Sequence, residues 1–379
     1  MDIKDLRNSI DTVDDQILEL FVKRMELSEQ VAEYKKENAL PIVNRTRERE
    51  VLADMSSKAG QYSDYAYQLF SRLIDLSKAR QCEMNSGDSA VSALIDSALL
   101  PAEKLFPRSG MIACQGVEGS NSQQACEKIM SRANIMYFKT FEAVFSAVDS
   151  GLCEYGVLPI ENNINGSVRA VYELLQRYSC SIVRQTRLNI RHELLAVPGA
   201  KLSDIKEIYS HEQAIGQCGA FLSTLGADVR IIPCANTALA AKIVAESGDP
   251  SKASISAPAC VELYGLNVLR DDIQDSLNNY TKFICITKKP AIYAGSSHTS
   301  LIISCPNKPG ALSDILSMLS ARGINMVKLE SCPVTGRNFE FIFYLELDAN
   351  VREAGVVSML EELERTCESF TFLGCYAEV

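Results

Sequence analysis

The sequence has no run of about 18 apolar residues, so it offers no candidate membrane-spanning helix. It has no excess of positive charge either: 38 Lys and Arg against 48 Asp and Glu leave a net charge of −10. That balance argues against nucleic acid as a partner, and any anionic substrate must be held by local groups of Arg and Lys. The opening, MDIKDLRNSIDTVDD, has neither the basic start nor the apolar run of a secretory signal. There are 13 cysteines, yet no two are spaced C-x-x-C. A zinc site and a disulfide framework are therefore disfavoured, no metal is expected, and the cysteine usage fits a reducing cytoplasm. The first 82 residues contain one glycine, Gly60, and one proline, Pro41, which leaves that stretch little to be except helix.

At 379 residues and 47% hydrophobic content the chain can bury two or three ordinary cores. Residues 1–82 read as all helix, and 83–109 as a linker with one short helix over Ala90–Leu99. Residues 110–290 alternate short apolar runs with amphipathic helical runs, as an α/β domain does. After a break at Tyr293–His298, residues 298–379 read strand, helix, strand, strand, helix, strand. The expected strands are Ser300–Cys305, Asn325–Ser331, Phe339–Leu347 and Phe370–Ala377, with helices Ala311–Ala321 and Val351–Arg365. That order is a ferredoxin-like α+β module.

In the first segment, Ile3, Leu6, Ile10, Val13, Ile17, Leu20, Arg24, Leu27, Val31 and Tyr34 follow alternating steps of three and four. This heptad seam needs a second helix to cover it. Arg24 is its one charged member, and a polar seam residue can set register or snorkel outward. Lys35 lies eleven residues on, about 20° round the same helix, so the two cations face one way. Arg47 follows beyond Pro41, and Gln81 closes the third helical run. Buried cations without carboxylate partners are costly, so such a cluster predicts a bound anion.

The segments Leu6–Asp15, Lys23–Leu27 and Arg45–Glu50 resemble the all-helical chorismate mutase family, over residues 1–82. The resemblance implies chorismate as substrate, no cofactor, and Arg7, Arg24, Lys35, Arg47, Glu48, Ser77 and Gln81 as the residues that carry the reaction. Asn44 stands where the family usually has an acidic residue near the substrate hydroxyl. Chorismate rearranges by an internal pericyclic shift that needs no nucleophile. The protein folds the side chain over the ring and stabilises charge on the ether oxygen. Arginines would clamp the carboxylates, and Lys35 and Gln81 would donate to that oxygen. Arg7 and Arg24 stand roughly 25 Å apart along one helix, too far for one small dianion. If both bind substrate, Arg7 comes from a second subunit, and the expected assembly is a homodimer with interlocked helices.

Four motifs punctuate the middle segment at strand ends. Gly116–Ser122 is a Gly-rich turn with hydroxyls opening a helix, which suits an anion, though an ordinary N-capped turn reads the same way. Leu158–Ser167 could be a polar turn, His211 in Ser210–Ala214 a capping residue, and Asn278–Phe283 a β-turn. Together they resemble the prephenate dehydratase family from Met111 to Lys288. The resemblance implies two α/β lobes around a cleft, as in type II periplasmic binding proteins. It assigns Thr281 as the main catalytic residue, with Glu161, Asn162, Ser120 and Gln213 lining the pocket. Ser122, Thr237 and Phe283 would add substrate contacts, as would Lys282, which replaces the family's usual Arg; Val117 replaces a usual Pro. The substrate would lose its ring carboxylate as CO2 while the opposite hydroxyl leaves as water. Thr281 can hydrogen-bond that hydroxyl, and Glu161, if buried and protonated, can act as the acid.

Pro309–Leu312 and Lys328–Pro333 make the tail resemble an ACT domain, which implies phenylalanine as a regulatory ligand. Its contacts would come from Gly310, Ala311, Leu312, Asn325, Glu330 and Ser331, with Cys332 in place of a usual Arg. The leading expectation is a bifunctional enzyme of phenylalanine biosynthesis, converting chorismate to prephenate and prephenate to phenylpyruvate under phenylalanine feedback. A dehydratase preferring arogenate, and a non-catalytic amino-acid sensor, are the alternatives.

Overall fold

The computed structural model describes residues 2–38, 40–42, 44–84, 89–226, 228–305, 310–333 and 341–379. Helix α1 spans Ile3–Glu37 and opens where the Asp5 carboxylate accepts the Asp2 N–H at 3.2 Å. Helix α2, Arg45–Lys58, is capped by Asn44, whose side-chain oxygen accepts the Arg47 N–H at 3.1 Å. Helices α3, Ser63–Met84, and α4, Ala90–Ala98, complete the helical segment. The heptad seam runs along α1 and stays open to solvent, with Ile3, Ile10, Ile17 and Leu20 each 55–66% exposed.

The middle segment begins with β1 (Ser109–Gln115), α5 (Asn121–Ile129), β2 (Arg132–Phe138) and α6 (Phe141–Asp149). Next come β3 (Tyr155–Asn162), β4 (Gly166–Ser167), α7 (Arg169–Arg177) and β5 (Ser181–Asn189). The chain then builds a second lobe from β6 (Glu193–Ala196), β7 (Glu207–Ser210), α8 (Glu212–Gly216), α9 (Gly219–Ser223) and β8 (Arg230–Pro233). That lobe ends with α10 (Thr237–Ser247), β9 (Lys252–Ser256), α11 (Ala259–Tyr264) and β10 (Asn267–Arg270). Strand β11, Tyr280–Thr287, returns to the first lobe. The first sheet runs β5-β11-β3-β1-β2 and the second β10-β6-β9-β7-β8. Two crossings between sheets leave a cleft, as the binding-protein resemblance implies. Ile112, Cys114, Val157, Phe283 and Cys285 pack one core, and Leu194, Ile208, Cys218 and Ile255 the other.

The tail holds β12 (His298–Ser304), α12 (Ala311–Ala321), β13 (Asn325–Pro333), β14 (Phe341–Asp348), α13 (Val356–Thr366) and β15 (Ser369–Glu378). Helix α12 has the expected bounds, whereas α13 starts at Val356 and not at Val351. Gly355, at φ 83°, holds the left-handed position before its first turn. Strand β3 also differs from expectation: it carries on through Pro159–Asn162, so the first half of that motif is strand and not turn. Likewise β11 begins at Tyr280, three residues before the expected Phe283. Pro309, Phe339 and Glu340 lie outside the described residues.

Two compact units emerge: Met1–Ser97 with Thr299–Phe372, and Ala98–His298 with Leu373–Val379. In the first, α3 packs against α1 and α2 and also against α12 and α13 of the tail. Arg72 on α3 donates to the Ser320 carbonyl at 2.5 Å, and Arg322 donates to the Ala79 carbonyl at 3.3 Å. In the second, Ala377 and Glu378 of β15 pair in parallel with β5. Gly374 there has φ 144°, and a Cβ on it would sit 2.2 Å from the Ile182 carbonyl oxygen, so only glycine fits.

Candidate active sites

In the helical segment one cavity of about 270 Å³ gathers Arg24, Lys35, Asn44, Arg47, Glu48, Ser77 and Gln81. Arg24 donates to the Leu73 carbonyl at 2.9 Å and to the Ser77 hydroxyl. Lys35 donates to the Ile42 carbonyl at 2.6 Å and to Gln81 Oε1 at 3.3 Å. That fixes the Gln81 amide, whose Nε2 donates to Ser28 at 2.9 Å. Burial lowers the pKa of Arg24. Burial also lowers that of Lys35, with Glu48 pulling the other way. Among the described residues neither cation is bonded to a carboxylate, and an anionic ligand would relieve their desolvation. Arg47 pairs with Glu50 at 3.3 Å on the outer rim. Arg7 is not among the residues around this cavity.

Sequence reasoning missed Ser28 and Lys78, which also line it. Lys78 pairs with Asp75 at 3.0 Å and Glu48 at 3.5 Å. Burial works against its charge, but the two carboxylates hold its pKa above the usual lysine value. The signal was present: Ile74, Ser77, Lys78 and Gln81 share one face of α3 at helical spacing.

In the two-lobed segment, Thr281 and Asn162 are directly paired across β11 and β3, and Lys282 is paired with Glu161. Asn162 Nδ2 donates to Thr281 Oγ1 at 3.0 Å. Side chains alternate along a strand, so Glu161 and Lys282 occupy the face opposite Asn162 and Thr281. Glu161 Oε2 lies 4.0 Å from Lys282 Nζ, and both border a cavity of about 450 Å³ with Arg187 and Tyr280. Gln213 borders a different one, about 330 Å³, with Asn165 from the first lobe and Gln217 and Asn279. The single pocket expected around Thr281 and Glu161 is thus divided by the sheet. Phe283, expected to touch substrate, is 2% exposed and packs in the first core.

The remaining motif residues do local work. Ser120 caps α5 by accepting the Gln123 N–H at 3.3 Å, and Ser122 is buried beside it. His211 caps α8 through Nδ1, which accepts the Gln213 N–H at 3.3 Å. Thr237 opens α10, with Asn236 as its cap. The turn at Gly116–Ser120 is engaged by α11: Tyr264 donates to the Glu118 carbonyl at 2.7 Å. A Cβ at Gly119 would lie 2.9 Å from Leu263 Cδ2.

In the tail, Gly310 has φ 87° at the start of α12, where no side chain among the described residues caps the first turn. Ala311 is buried and Leu312 half-buried, while Asn325 and Ser331 are exposed on β13. Glu330 lies 3.3 Å from Lys328, and Cys332 is buried. Among the described residues no group of His, Cys, Asp or Glu is arranged to hold a metal ion, and no helix is long and apolar enough to cross a membrane.

Three family models match in chain order: chorismate mutase type II over residues 6–82, prephenate dehydratase over 112–291 and ACT domain over 299–368. The bifunctional chorismate mutase/prephenate dehydratase of Escherichia coli (strain K12) is 30% identical, over 98% of this chain and 95% of its own. Arogenate dehydratase/prephenate dehydratase 1 of Arabidopsis thaliana is 34% identical over 74% of this chain and 78% of its own. The crystal structure of the Arthrobacter aurescens prephenate dehydratase in complex with L-Phe superposes with a TM-score of 0.65 at 29% identity, covering 70% of this chain and 89% of that one. A helical module with a cation-lined cavity, a two-lobed module with a cleft and a ferredoxin-like tail, matched in this order and nearly end to end, place the chain in the family of bifunctional chorismate mutase/prephenate dehydratases.

Proposed function

We propose that residues 1–82 convert chorismate to prephenate, that 110–290 convert prephenate to phenylpyruvate, and that 298–379 sense phenylalanine. The observation that carries the reading is the mutase cavity, where Arg24 and Lys35 are desolvated on one side and Gln81 is oriented by Lys35 on the other. Arg24 and Arg47 bind the two carboxylates of chorismate, and Lys35 and Gln81 Nε2 stabilise the ether oxygen as its bond to the ring breaks. Glu48, Ser77 and Asn44 shape the pocket around the ring. Arg7 completes the site from the partner in a homodimer whose contact is the exposed heptad face of α1. The dehydratase reaction takes place in the interlobe cleft. There Thr281, held by Asn162, hydrogen-bonds the departing hydroxyl, and Gln213 faces the substrate from the second lobe.

Phenylalanine binds at the N-terminus of α12, its carboxylate on the uncapped N–H groups that follow Gly310. The enzyme works in the cytoplasm. Purified full-length protein given chorismate should yield prephenate and then phenylpyruvate, both followed by absorbance, and added phenylalanine should slow the second step. Chorismate left unconsumed would refute the reading. A second reading, preference for arogenate, is favoured by the Arabidopsis relative that carries both dehydratase names. The ratio of kcat/KM on prephenate and arogenate decides between them.

A further inference from the structure

Thr281 stands at the end of a row of side chains, buried apart from half-buried Gln217, whose orientations can be derived one from the next. Asn162 Oδ1 accepts the backbone N–H groups of Ile164 at 3.0 Å and Asn165 at 2.8 Å. Backbone N–H groups only donate, so that end of the amide is oxygen and the other end is nitrogen. The nitrogen, Asn162 Nδ2, meets Thr281 Oγ1 at 3.0 Å and Asn279 at 2.8 Å. Asn279 must therefore present its oxygen to Asn162, which turns its own nitrogen toward Gln217 at 3.0 Å. Gln217 must answer with Oε1, and that oxygen also lies 2.9 Å from His192 Nε2. An amide oxygen cannot donate, so the proton sits on Nε2 and His192 Nδ1 is bare. Nδ1 is a buried atom with no hydrogen-bond partner among the described residues, so the tautomer is set by the Gln217 contact at Nε2 alone. Burial lowers the His192 pKa and favours this neutral form.

We infer that His192, Gln217 and Asn279 are positioning residues that fix Thr281 as a hydrogen-bond donor into the cleft. The inference rests on the reading that Thr281 takes part in the dehydratase step. Asn162 Nδ2 also lies 3.2 Å from the Tyr280 carbonyl, and an amide nitrogen cannot accept a hydrogen bond, so the Thr281 proton points away from Asn162. The departing hydroxyl of the substrate is an acceptor and meets that proton. Reversing the row would set two N–H2 groups against each other at the Asn162–Asn279 contact, because the backbone donors hold Asn162 in place. His192 and Asn279 are 3% and 0% exposed, so water cannot compensate for the mismatch. The chain ends on His192 because an imidazole, unlike another amide, can terminate a row of fixed polarity by choosing its tautomer.

The test uses the full-length protein and four variants. Gln places an amide N–H near the position of imidazole Nε2, and Leu offers no donor. His192→Leu should lower kcat on prephenate about tenfold with KM little changed, whereas His192→Gln should stay within about threefold of the parent. An unchanged KM for prephenate, with near-UV circular dichroism matching the parent, reports that the dehydratase unit of each variant is folded. Long-range 1H–15N correlation on labelled protein should show His192, one of three histidines, as the neutral Nε2–H tautomer. Its resonances are identified by their loss in His192→Gln. Asn279→Asp gives Asn162 and Gln217 an acceptor each, so Gln217 turns over and His192 should switch to Nδ1–H. An Nδ1–H tautomer in the parent protein, or equal loss of kcat in the Gln and Leu variants, overturns the inference. Full dehydratase activity in Thr281→Ala would overturn the reading of the site while leaving the tautomer result standing.

Discussion

Arg322 and Glu362 form an ion pair at 2.6 Å inside the first unit, with side chains 7% and 5% exposed. Arg322 bonds at the same time to the Ala79 carbonyl of α3, two residues from both Ser77 and Gln81. The pair thus ties α12 and α13 to the helix that lines the mutase cavity. Removing one member leaves the other charged and dry. Glu362→Ala should destabilise the first unit by about 3–5 kcal/mol, and chorismate turnover should fall with it. Replacing both residues by Met and Leu should cost much less. Urea unfolding of the three proteins measures the difference.

Arg7 and Arg24 should complement each other between chains. Each Ala variant alone should be nearly inactive as a mutase, since each homodimer then lacks one arginine in both sites. Mixed and allowed to exchange, they should recover part of the activity. A mixture that stays inactive after exchange has been demonstrated by mass would show that the site is not shared.

The two chemistries should separate by mutation. Thr281→Ala should abolish phenylpyruvate formation and leave chorismate consumption unchanged, because the residues lie in different units. Arg24→Ala should remove mutase activity and still dehydrate added prephenate. Steady-state rates on both substrates check this directly.

Stability should also depend on pH through His192. Its folded pKa lies below the usual 6.5 because the ring is buried, so in the window beneath 6.5 the unfolded chain binds more protons than the folded one. Stability therefore falls as pH drops through that window and is unaffected above it. His192→Gln should flatten this part of the profile. Thermal melting of both proteins from pH 8 to pH 5, taken as a difference, isolates His192 from Glu193 beside it, whose pKa burial raises.

Some of this was legible in the sequence because it repeats locally. The heptad steps from Ile3 to Tyr34 mark α1, and Gly310 before an apolar helical run marks the start of α12. Other features have no local period. His192, Gln217 and Asn279 are single polar residues scattered over some ninety positions, and only their meeting in the fold makes them a row. The place of Asn279 beside Thr281 was the available hint. The helical face that carries Ser77 and Gln81 was readable, but Lys78 was hidden by its resemblance to any solvated lysine. The docking of α12 and α13 on α3 left no mark either, since Leu76 and Ala79 read as ordinary apolar positions. It has a practical effect: cutting the chain near Ala294 to remove the sensor would also strip α3 of its partners and β5 of Gly374–Glu378. Gly310→Ala, which strains only the turn at φ 87°, is the better probe of phenylalanine response, expected to lose binding while both rates persist.

The first unit is assembled from the two ends of the chain, Met1–Ser97 and Thr299–Phe372, with 201 residues between them. A ribosome adding about 5–20 residues per second needs on the order of 10–40 s to cross that interval. Throughout it, α3 exists while α12 and α13 do not, and its docking face must wait in the nascent chain. The second unit is itself unfinished until its last seven residues, Leu373–Val379, leave the exit tunnel. Neither unit can be completed before residue 372 has been added, so the order of emergence gives the N-terminal helices no head start.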